Sequence, residues 1–287
     1  VDEAHTCRGV FGSHIANVFR RVIRLCRACD GPGPEFICTS ATIDNPAQLV
    51  KQLTTRDPVA VTVNGAPSGE KAMILWQPPE LAGAGDDAGT EGGGGVNNNS
   101  GGGGRNNNNN NNNNNGGGAR GETVAQRRSP YAESAEVIAG LVQNGIRCLA
   151  FVYARKLTES VCRDVKGILL KAGRQDLVAR VDSYRGGYDA GLRRNLEARL
   201  ANGEVSCLVC TSALEMGIDV GHLDATVHVG VPETAAAMWQ QAGRAGRRLG
   251  CSLAVVVACE RPLDSFYCAH PTDLFRRRAE AALIDPS

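Results

Sequence analysis

The sequence predicts an α/β protein built on a parallel sheet, and three observations support this prediction. Short apolar runs rich in β-branched residues alternate along the chain with amphipathic helical patterns. Hydrophobic residues make up 42% of the 287 residues, which is enough to bury a core. The apolar runs have the length of buried strands, and the run at 252–258 is far too short to span a bilayer. This alternation indicates βα units and a parallel sheet flanked by helices.

The first 80 residues are predicted to form two helices and three short strands. Apolar residues that recur every three or four positions predict the first helix, and Asn45-Pro46 marks the start of the second. In chain order the elements are a helix over about 14–29, a strand over 36–39, a helix from 45, and strands over 59–63 and 72–76.

Residues 81–121 differ in composition from the rest of the chain. They are rich in Gly, Asn and Asp, and 106–115 are ten consecutive asparagines. With almost no apolar side chain to bury, such a segment cannot offset the entropy lost on ordering. We therefore predict a disordered surface insertion, although Asn-rich tracts can also self-associate.

The alternation of helices and strands resumes after the insertion and continues almost to the end. The predicted order is a helix over 132–143, a strand over 148–153, a helix over 157–172, a strand over 180–183, a helix marked by Leu192, Leu196 and Leu200, strands over 206–211 and 225–229, a helix over 238–247 and a strand over 252–258.

Charge and cysteine content restrict the class of protein. The net charge of +1 excludes a polybasic tail protein but leaves room for a local nucleic-acid groove. Eleven cysteines scattered through apolar segments are not typical of a secreted disulfide scaffold, and they predict reduced thiols in an intracellular compartment. The CxxC pair Cys207/Cys210 lies in a predicted strand whose side chains alternate faces, which disfavours a zinc site there. The chain opens on Val1 with neither a Met nor a signal peptide, so we expect a fragment.

The first candidate site is the opening Val1-Asp2-Glu3-Ala4-His5. Ligands of open α/β sheets bind at the carboxyl ends of the strands, where two adjacent carboxylates here are expected to lie. Asp2 suits Mg²⁺, a hard cation that keeps several waters, and Glu3 suits the activation of an attacking water. His5 is placed to link that site to the rest of the chain. By itself, this pattern also fits a chance Asp-Glu pair.

Three later segments carry chemistry of the same kind. Thr39-Ser40-Ala41-Thr42 follows a predicted strand, and its hydroxyls can bond the carboxylates or cap the next helix. The segment 211–221 holds Gly217, which permits close approach of a ligand, and Asp219, which can accept hydrogen bonds from ribose. The segment 240–248 contains Arg244 and Arg247, whose forked guanidinium groups suit phosphate, although a solvated basic helix face is the alternative.

Together and in this order, the four segments resemble motifs II (DEAH), III (SAT), V and VI (QxxGRxGR) of the superfamily 2 helicases. The segments between and beyond the motifs are similar to those of the Hrq/MrfA family of RecQ-related, DUF1998-containing DNA-repair helicases. The resemblance covers nearly all of the chain except the insertion, and the further matching segments are 8–14, 65–67, 184–188, 262–264, 270–271 and 280–286.

The resemblance implies a 3′-to-5′ ATP-dependent DNA helicase with two RecA-like lobes, ATP and Mg²⁺ between them, and a partner that is single-stranded or duplex DNA with a 3′ tail. Residues 1–64 would be the C-terminal half of the first lobe, and 65–287 the second lobe, interrupted at 81–121, with a further domain starting after about 262. No membrane contact is expected, and a eukaryotic protein would be nuclear.

The resemblance also implies a role for each matching residue. Asp2 would hold Mg²⁺, Glu3 would activate water, and Gln240 would contact the γ-phosphate. The remaining roles are arginine fingers for Arg244 and Arg247, coupling of hydrolysis to movement for Ser40 and Thr42, nucleotide contact for Gly217 and Asp219, and nucleic-acid contact for Thr211 and Arg185.

One departure from the family is the phosphate-binding loop. No G-x-x-x-x-G-K-[ST] pattern occurs in the 287 residues, so the chain alone is expected to be inactive. Two alternatives stay open. One is an RNA helicase of the DEAH or Ski2-like branch, which shares motifs II and VI. The other is a non-catalytic relative that binds nucleic acid, which the missing loop would fit.

Overall fold

The computed structural model of the chain describes residues 1–63, 65–67, 69–81, 127–216, 221–246 and 250–285. The chain divides into two compact units, one of residues 1–78 and 129–287 and one of 79–128. In the described part of the second unit, Glu80 and Arg127 form an antiparallel bridge, and their side chains form an ion pair of 2.5 Å. The disorder predicted for 81–121 lies, apart from Leu81, outside the described residues.

The first unit is built around a six-stranded sheet in which every pair is parallel. The strands stand in the order β1-β6-β5-β2-β4-β3, so the carboxyl ends of all six lie at one edge. This confirms the predicted α/β class with a parallel sheet and flanking helices. The strands are β1 (Lys71–Trp76), β2 (Cys148–Phe151), β3 (Val181–Tyr184), β4 (Cys207–Cys210), β5 (Ala225–Val229) and β6 (Ser252–Val257).

Helices lie between and beside these strands, close to their predicted positions. Those in the described residues are α1 (Gly9–Ala28), α2 (Pro46–Thr54), α3 (Pro130–Gln143), α4 (Arg155–Lys171), the single turn α5 (Gln175–Val178), α6 (Ala190–Ala201), α7 (Ala235–Ala242), α8 (Pro262–Ala269) and α9 (Pro271–Arg276). None of the helices in this part of the chain is both long and apolar enough to cross a lipid bilayer.

Alternate residues of the central strands enter two cores on opposite faces of the sheet. Cys148 and Cys207 pack in the core that α3 and α4 cover, whereas Leu149 and Cys210 pack in the core that α6 covers. The two cysteines of this CxxC pair therefore face opposite sides, as the strand periodicity predicts. All eleven cysteines are free.

Two strands predicted before β1 are wrong. Val1 and the segment 36–39 do exchange parallel bonds, since the Val1 amino group donates to Ile37 and the Thr39 N–H donates to Val1. One more bond follows, from the Ala4 N–H to the Thr39 carbonyl at 2.8 Å, but no regular ladder forms because Glu3 takes a left-handed φ of 50° and starts the 3-10 turn Ala4–Thr6. The segment 59–63 forms no ladder, and its valine side chains are about nine-tenths exposed because nothing packs on them.

The helix predicted over 238–247 is also wrong at both ends. α7 begins at Ala235, where the Thr234 side chain accepts a hydrogen bond from the Ala237 N–H, and it ends at Ala242. Gly243 follows the helix, and Gly246 has a φ of 79°, which only glycine adopts readily. Arg244 therefore lies in a turn rather than in the helix, and Arg247 lies outside the described residues.

Candidate functional site

A cleft of about 330 Å³ lies where the opening residues of the chain meet the end of α7. Its lining includes five residues that the sequence pattern indicated: Asp2, Glu3, Ser40, Gln240 and Arg244. These residues come from opposite ends of the sequence, so the fold alone brings them together. A larger groove of about 650 Å³ runs along α1 and contains none of these five.

Asp2 is held as a carboxylate at the mouth of this cleft. Its Oδ1 accepts hydrogen bonds from the Thr39 hydroxyl and from the Glu3 N–H at 2.9 Å. These two bonds, the Thr39 bond foremost, lower the pKa of Asp2 because they favour the charged form. The side chain is exposed, so its second oxygen stays accessible to a cation.

His5 is the point at which the four segments meet. Its Nδ1 accepts a hydrogen bond from the Ala41 N–H at 3.1 Å. Nε2 lies 2.9 Å from the Gln240 amide group and 3.3 Å from the Met216 sulfur. The Glu3 carboxylate is 3.4 Å from Nδ1. One buried ring thus contacts all four segments.

A lysine at the start of β1 holds the turn that carries Arg244. Lys71 Nζ donates to the carbonyls of Ala242 at 2.6 Å and Ala245 at 2.8 Å, which caps the end of α7. A Cβ on Gly246 would lie 2.4 Å from the Ser252 hydroxyl oxygen, so the turn also needs glycine for space.

Arg244 itself is only 5% exposed, and its Nε donates to the Glu215 carbonyl at 2.8 Å. Arg244 also lines the cleft that Asp2 and Glu3 line. Burial of a permanent charge is tolerated here because the Glu215 carbonyl and the nearby Glu215 carboxylate face it.

A buried hydrogen-bonded chain supports Glu215 and Arg244. Glu215 accepts from the Gln241 side chain at 2.9 Å, Gln241 in turn lies 3.0 Å from His228 Nδ1, and His228 Nε2 lies 3.0 Å from the Thr226 hydroxyl. Burial raises the pKa of Glu215 and lowers the pKa of His228 to about 4. The His228 ring is therefore neutral at pH 7, which suits its position in this chain.

Sequence reasoning missed Lys71, Glu215, Met216 and Gln241 as parts of the site. The last three lie inside the segments singled out for other residues, so the signal was present but was assigned to their neighbours. Lys71 carries no local signal, because it is 171 residues from the carbonyl that it binds.

Three predicted residues lie away from the cleft lining. Thr211 and Arg185 directly follow β4 and β3, so both lie at the carboxyl edge of neighbouring strands. Arg185 forms an ion pair of 2.9 Å with Glu159, and its guanidinium lies 5.1 Å from the centre of the Tyr188 ring. Thr42 is exposed. Gly217, Asp219 and Arg247 lie outside the described residues.

Comparison with known proteins gives consistent matches along the whole chain. Residues 133–248 match the family model "Helicase conserved C-terminal domain". The chain is 36% identical to the ATP-dependent helicase HRQ1 of Saccharomyces cerevisiae over 276 residues, which cover 96% of this chain and 22% of that protein. It is also 36% identical to the uncharacterized ATP-dependent helicase YprA of Bacillus subtilis over 286 residues, or 100% of this chain and 32% of that protein.

A solved structure matches as well. The DUF1998 helicase MrfA bound to DNA and AMPPNP superimposes with a TM-score of 0.79 at 36% identity, over 99% of this chain and 34% of that one. The chain thus spans only between a fifth and about a third of the length of these relatives.

Proposed function

Since the chain belongs to the superfamily 2 helicases of the Hrq/MrfA type, we propose that it forms part of an ATP-dependent DNA helicase that moves 3′ to 5′ and acts in DNA repair. The observation that carries this proposal is the convergence of four sequence-distant segments on His5, at the wall of one cleft that also contains carboxylates and an arginine. Such a cleft suits a nucleoside triphosphate, whose γ-phosphate needs acids on one side and a guanidinium on the other.

The carboxylate side of the cleft would prepare the attacking water. Asp2 fits Mg²⁺ because its ionised, exposed carboxylate leaves one oxygen accessible, and Mg²⁺ needs only one or two protein carboxylates beside waters and phosphate oxygens. Mg²⁺ would supply charge neutralisation at the phosphates when it is bound. Glu3 would accept the proton of the attacking water, and His5, which contacts Ala41 and Gln240, would connect the carboxylate segment to both.

The opposite side of the cleft would stabilise the charge that develops on the γ-phosphoryl group. Arg244 lines the cleft, and we assign it and Arg247 as arginine fingers, with Gln240 near the γ-phosphate. Gly217 and Asp219 would contact the nucleotide. These assignments are supported by the presence of Gln240 and Arg244 in the lining of the same cleft as Asp2 and Glu3.

Hydrolysis would be coupled to movement along DNA through the segment 39–42. Ser40 lines the cleft, and Ala41 of the same segment donates to His5, so a change at the phosphate reaches this segment directly. We assign Ser40 and Thr42 to this coupling. Thr211 and Arg185 would contact the DNA, because they share the carboxyl edge of the sheet, where open α/β sheets bind ligands.

We further propose that residues 1–64 are half of a first RecA-like lobe and that 65–287 form the second lobe, with another domain starting after about 262. The pairing of β1 with β6 supports this division, since β1 extends the later sheet rather than pairing with the segment 36–39. We place the protein in a reducing compartment, the nucleus in a eukaryote, in keeping with its eleven free cysteines.

The decisive experiment is strand separation by the full-length protein on short duplexes of DNA or RNA with a single-stranded tail at the 3′ or the 5′ end. We expect ATP-dependent separation of the DNA duplex with the 3′ tail. Separation confined to RNA would favour the DEAH or Ski2-like alternative, separation with the 5′ tail would reverse the polarity, and DNA binding without ATP hydrolysis would indicate a non-catalytic relative.

A further inference from the structure

The segment 277–285 connects two parts of the molecule that are distant in sequence, and we call it the strap. It follows α9 and has no helix or strand of its own, yet it is held by side chains and backbone groups along its whole length. Its residues belong to a segment that resembles the helicase family, but none of the roles assigned above explains them.

One end of the strap holds the beginning of α7. The Glu280 carboxylate accepts hydrogen bonds from the N–H groups of Ala235 at 2.9 Å and Ala236 at 3.4 Å. A helix N-terminus carries unsatisfied N–H donors and a partial positive charge, so a carboxylate there is stabilising. Arg277 lies 3.0 Å from the same carboxylate and donates to the Pro232 carbonyl at 3.3 Å, which orients Glu280 toward the helix.

The other end of the strap is bonded to the beginnings of α1 and α2. The Asn45 side chain donates to the Ala282 carbonyl at 3.0 Å and accepts from the Ala282 N–H at 2.8 Å. The Gly9 N–H donates to the Leu283 carbonyl at 2.7 Å, and the Asp285 N–H donates to the Ser13 hydroxyl at 3.1 Å. One backbone group and two side chains thus determine where this end lies.

Apolar packing fixes the same end of the strap. Ala282 and Ile284 are nearly fully buried in a cluster with α1 and α2, whose other buried members are Cys7, Ala16, Leu49 and Leu53. Gly12 on α1 leaves room for this contact, since a Cβ there would lie 2.5 Å from a methyl carbon of Ile284. The strap therefore occupies a seat formed by the residues that directly follow Asp2 and Glu3 in the sequence.

We propose that Glu280 is a positioning residue for ATP hydrolysis, which it serves by fixing α7, and with it Gln240 and Arg244, relative to the part of the chain that carries Asp2 and Glu3. This inference rests on the function proposed above. α7 has only eight residues and is about 12 Å long, so a tilt at its first turn is transmitted to its last. A displacement of about 1 Å in a catalytic group can reduce a rate about a hundredfold.

The test compares Glu280→Ala and Glu280→Gln with the wild-type full-length protein. Glu260→Ala is the matched control, because this exposed glutamate lies on the same unit and its replacement changes the charge equally. Hydrogen–deuterium exchange of the peptide that covers 234–242 reports how firmly α7 is held, and steady-state ATP hydrolysis reports kcat and KM separately.

We expect Glu280→Ala to accelerate exchange at Ala235 and Ala236 and to lower kcat at least tenfold, with KM for ATP within about twofold of wild type. This split is expected because the arginine acts on the transition state more than on bound ATP. Glu280→Gln keeps an acceptor oxygen, so its kcat and its exchange rate in α7 should lie between those of Glu280→Ala and wild type. Glu260→Ala should have the wild-type kcat and exchange rate.

Two results would overturn the inference while leaving the proposed function intact. One is a Glu280→Ala protein whose kcat stays within twofold of wild type, and the other is a lower kcat with unchanged exchange in α7, since Glu280 would then act by another route. A wild-type protein that hydrolyses no ATP would instead overturn the proposed function and this inference together.

Discussion

The buried His228 makes the stability of the chain depend on pH in a predictable way. Its pKa is about 4 in the folded chain against an ordinary value of 6.5, because burial disfavours the imidazolium form. The unfolded chain therefore binds a proton at this position between pH 6.5 and 4, whereas the folded chain does not. By linkage, the stability that His228 contributes is fully present above pH 6.5 and is lost as the pH falls through this window.

The size of this effect follows from the two pKa values. A difference of about 2.5 pH units corresponds to about 3 kcal/mol once the pH is below 4, and to about 2 kcal/mol at pH 5. Two neighbouring residues also affect how the free energy of unfolding changes with pH. Burial raises the pKa of Glu215, so protonation of its carboxylate at low pH removes part of the free-energy cost of burying that charge. The positive charge on Lys71 lowers the pKa of His228 because it opposes protonation of the ring.

Urea unfolding curves measured between pH 8 and pH 5 test this argument. The free energy of unfolding should fall by about 2 kcal/mol more in the wild-type chain than in the His228→Gln variant, which cannot take up a proton there. His14→Gln, at an exposed histidine, serves as the control and should keep the wild-type slope. Equal slopes for wild type and His228→Gln would refute the assigned protonation state.

Three further predictions concern the cleft. Glu3→Gln in the full-length protein should keep ATP binding, measured by titration, and abolish turnover, because it preserves the shape of the side chain and removes the base; unchanged turnover would remove Glu3 from this role. Arg244→Ala and Arg247→Ala should each lower kcat by about 10³ to 10⁵, and Lys should rescue poorly. Arg248→Ala is the control for these two variants and should keep the wild-type kcat. A kcat within about threefold of wild type in all three variants would contradict the assignment of Arg244 and Arg247 as arginine fingers. The polypeptide of residues 1–287 should show no DNA-stimulated ATP hydrolysis, because no phosphate-binding loop occurs in it; measurable turnover would contradict this expectation.

The central strands of the sheet could be predicted from the sequence because they are almost fully buried. The apolar runs that form β2, β4, β5 and β6 must lie between two layers of helices, and hydrophobic content alone identifies such strands. The valines at 59–63 alternate with Ala60 and Thr62 and have the β-branched character of a strand, yet they lie in solvent. Alternation predicts the ability to pair, whereas pairing itself depends on a partner that the local sequence does not specify.

The candidate site could be predicted only where a motif carried the signal. Asp2, Glu3, Gln240 and Arg244 lie in segments that resemble helicase motifs, and the fold does bring them to one cleft. The groups that hold them were not identified, because the bonds of Lys71 to the α7 turn and of Glu280 to the α7 N-terminus join positions 44 or more residues apart. Such contacts are set by the tertiary fold, and no local pattern in a single sequence encodes them.

The lysine cap on α7 has a consequence for the order in which the protein is made. Lys71 binds Ala242, which follows it by 171 residues, and its strand pairs with β6, the last strand of the sheet. A ribosome that adds about 5 to 20 residues per second needs roughly 10 to 30 s to synthesise the intervening chain. During this time β1 has no partner, and its half-exposed Ile74 and Trp76 are open to other chains. Since β1 joins the sheet through β6, Lys71 reaches the turn that carries Arg244 only after β6 has been synthesised.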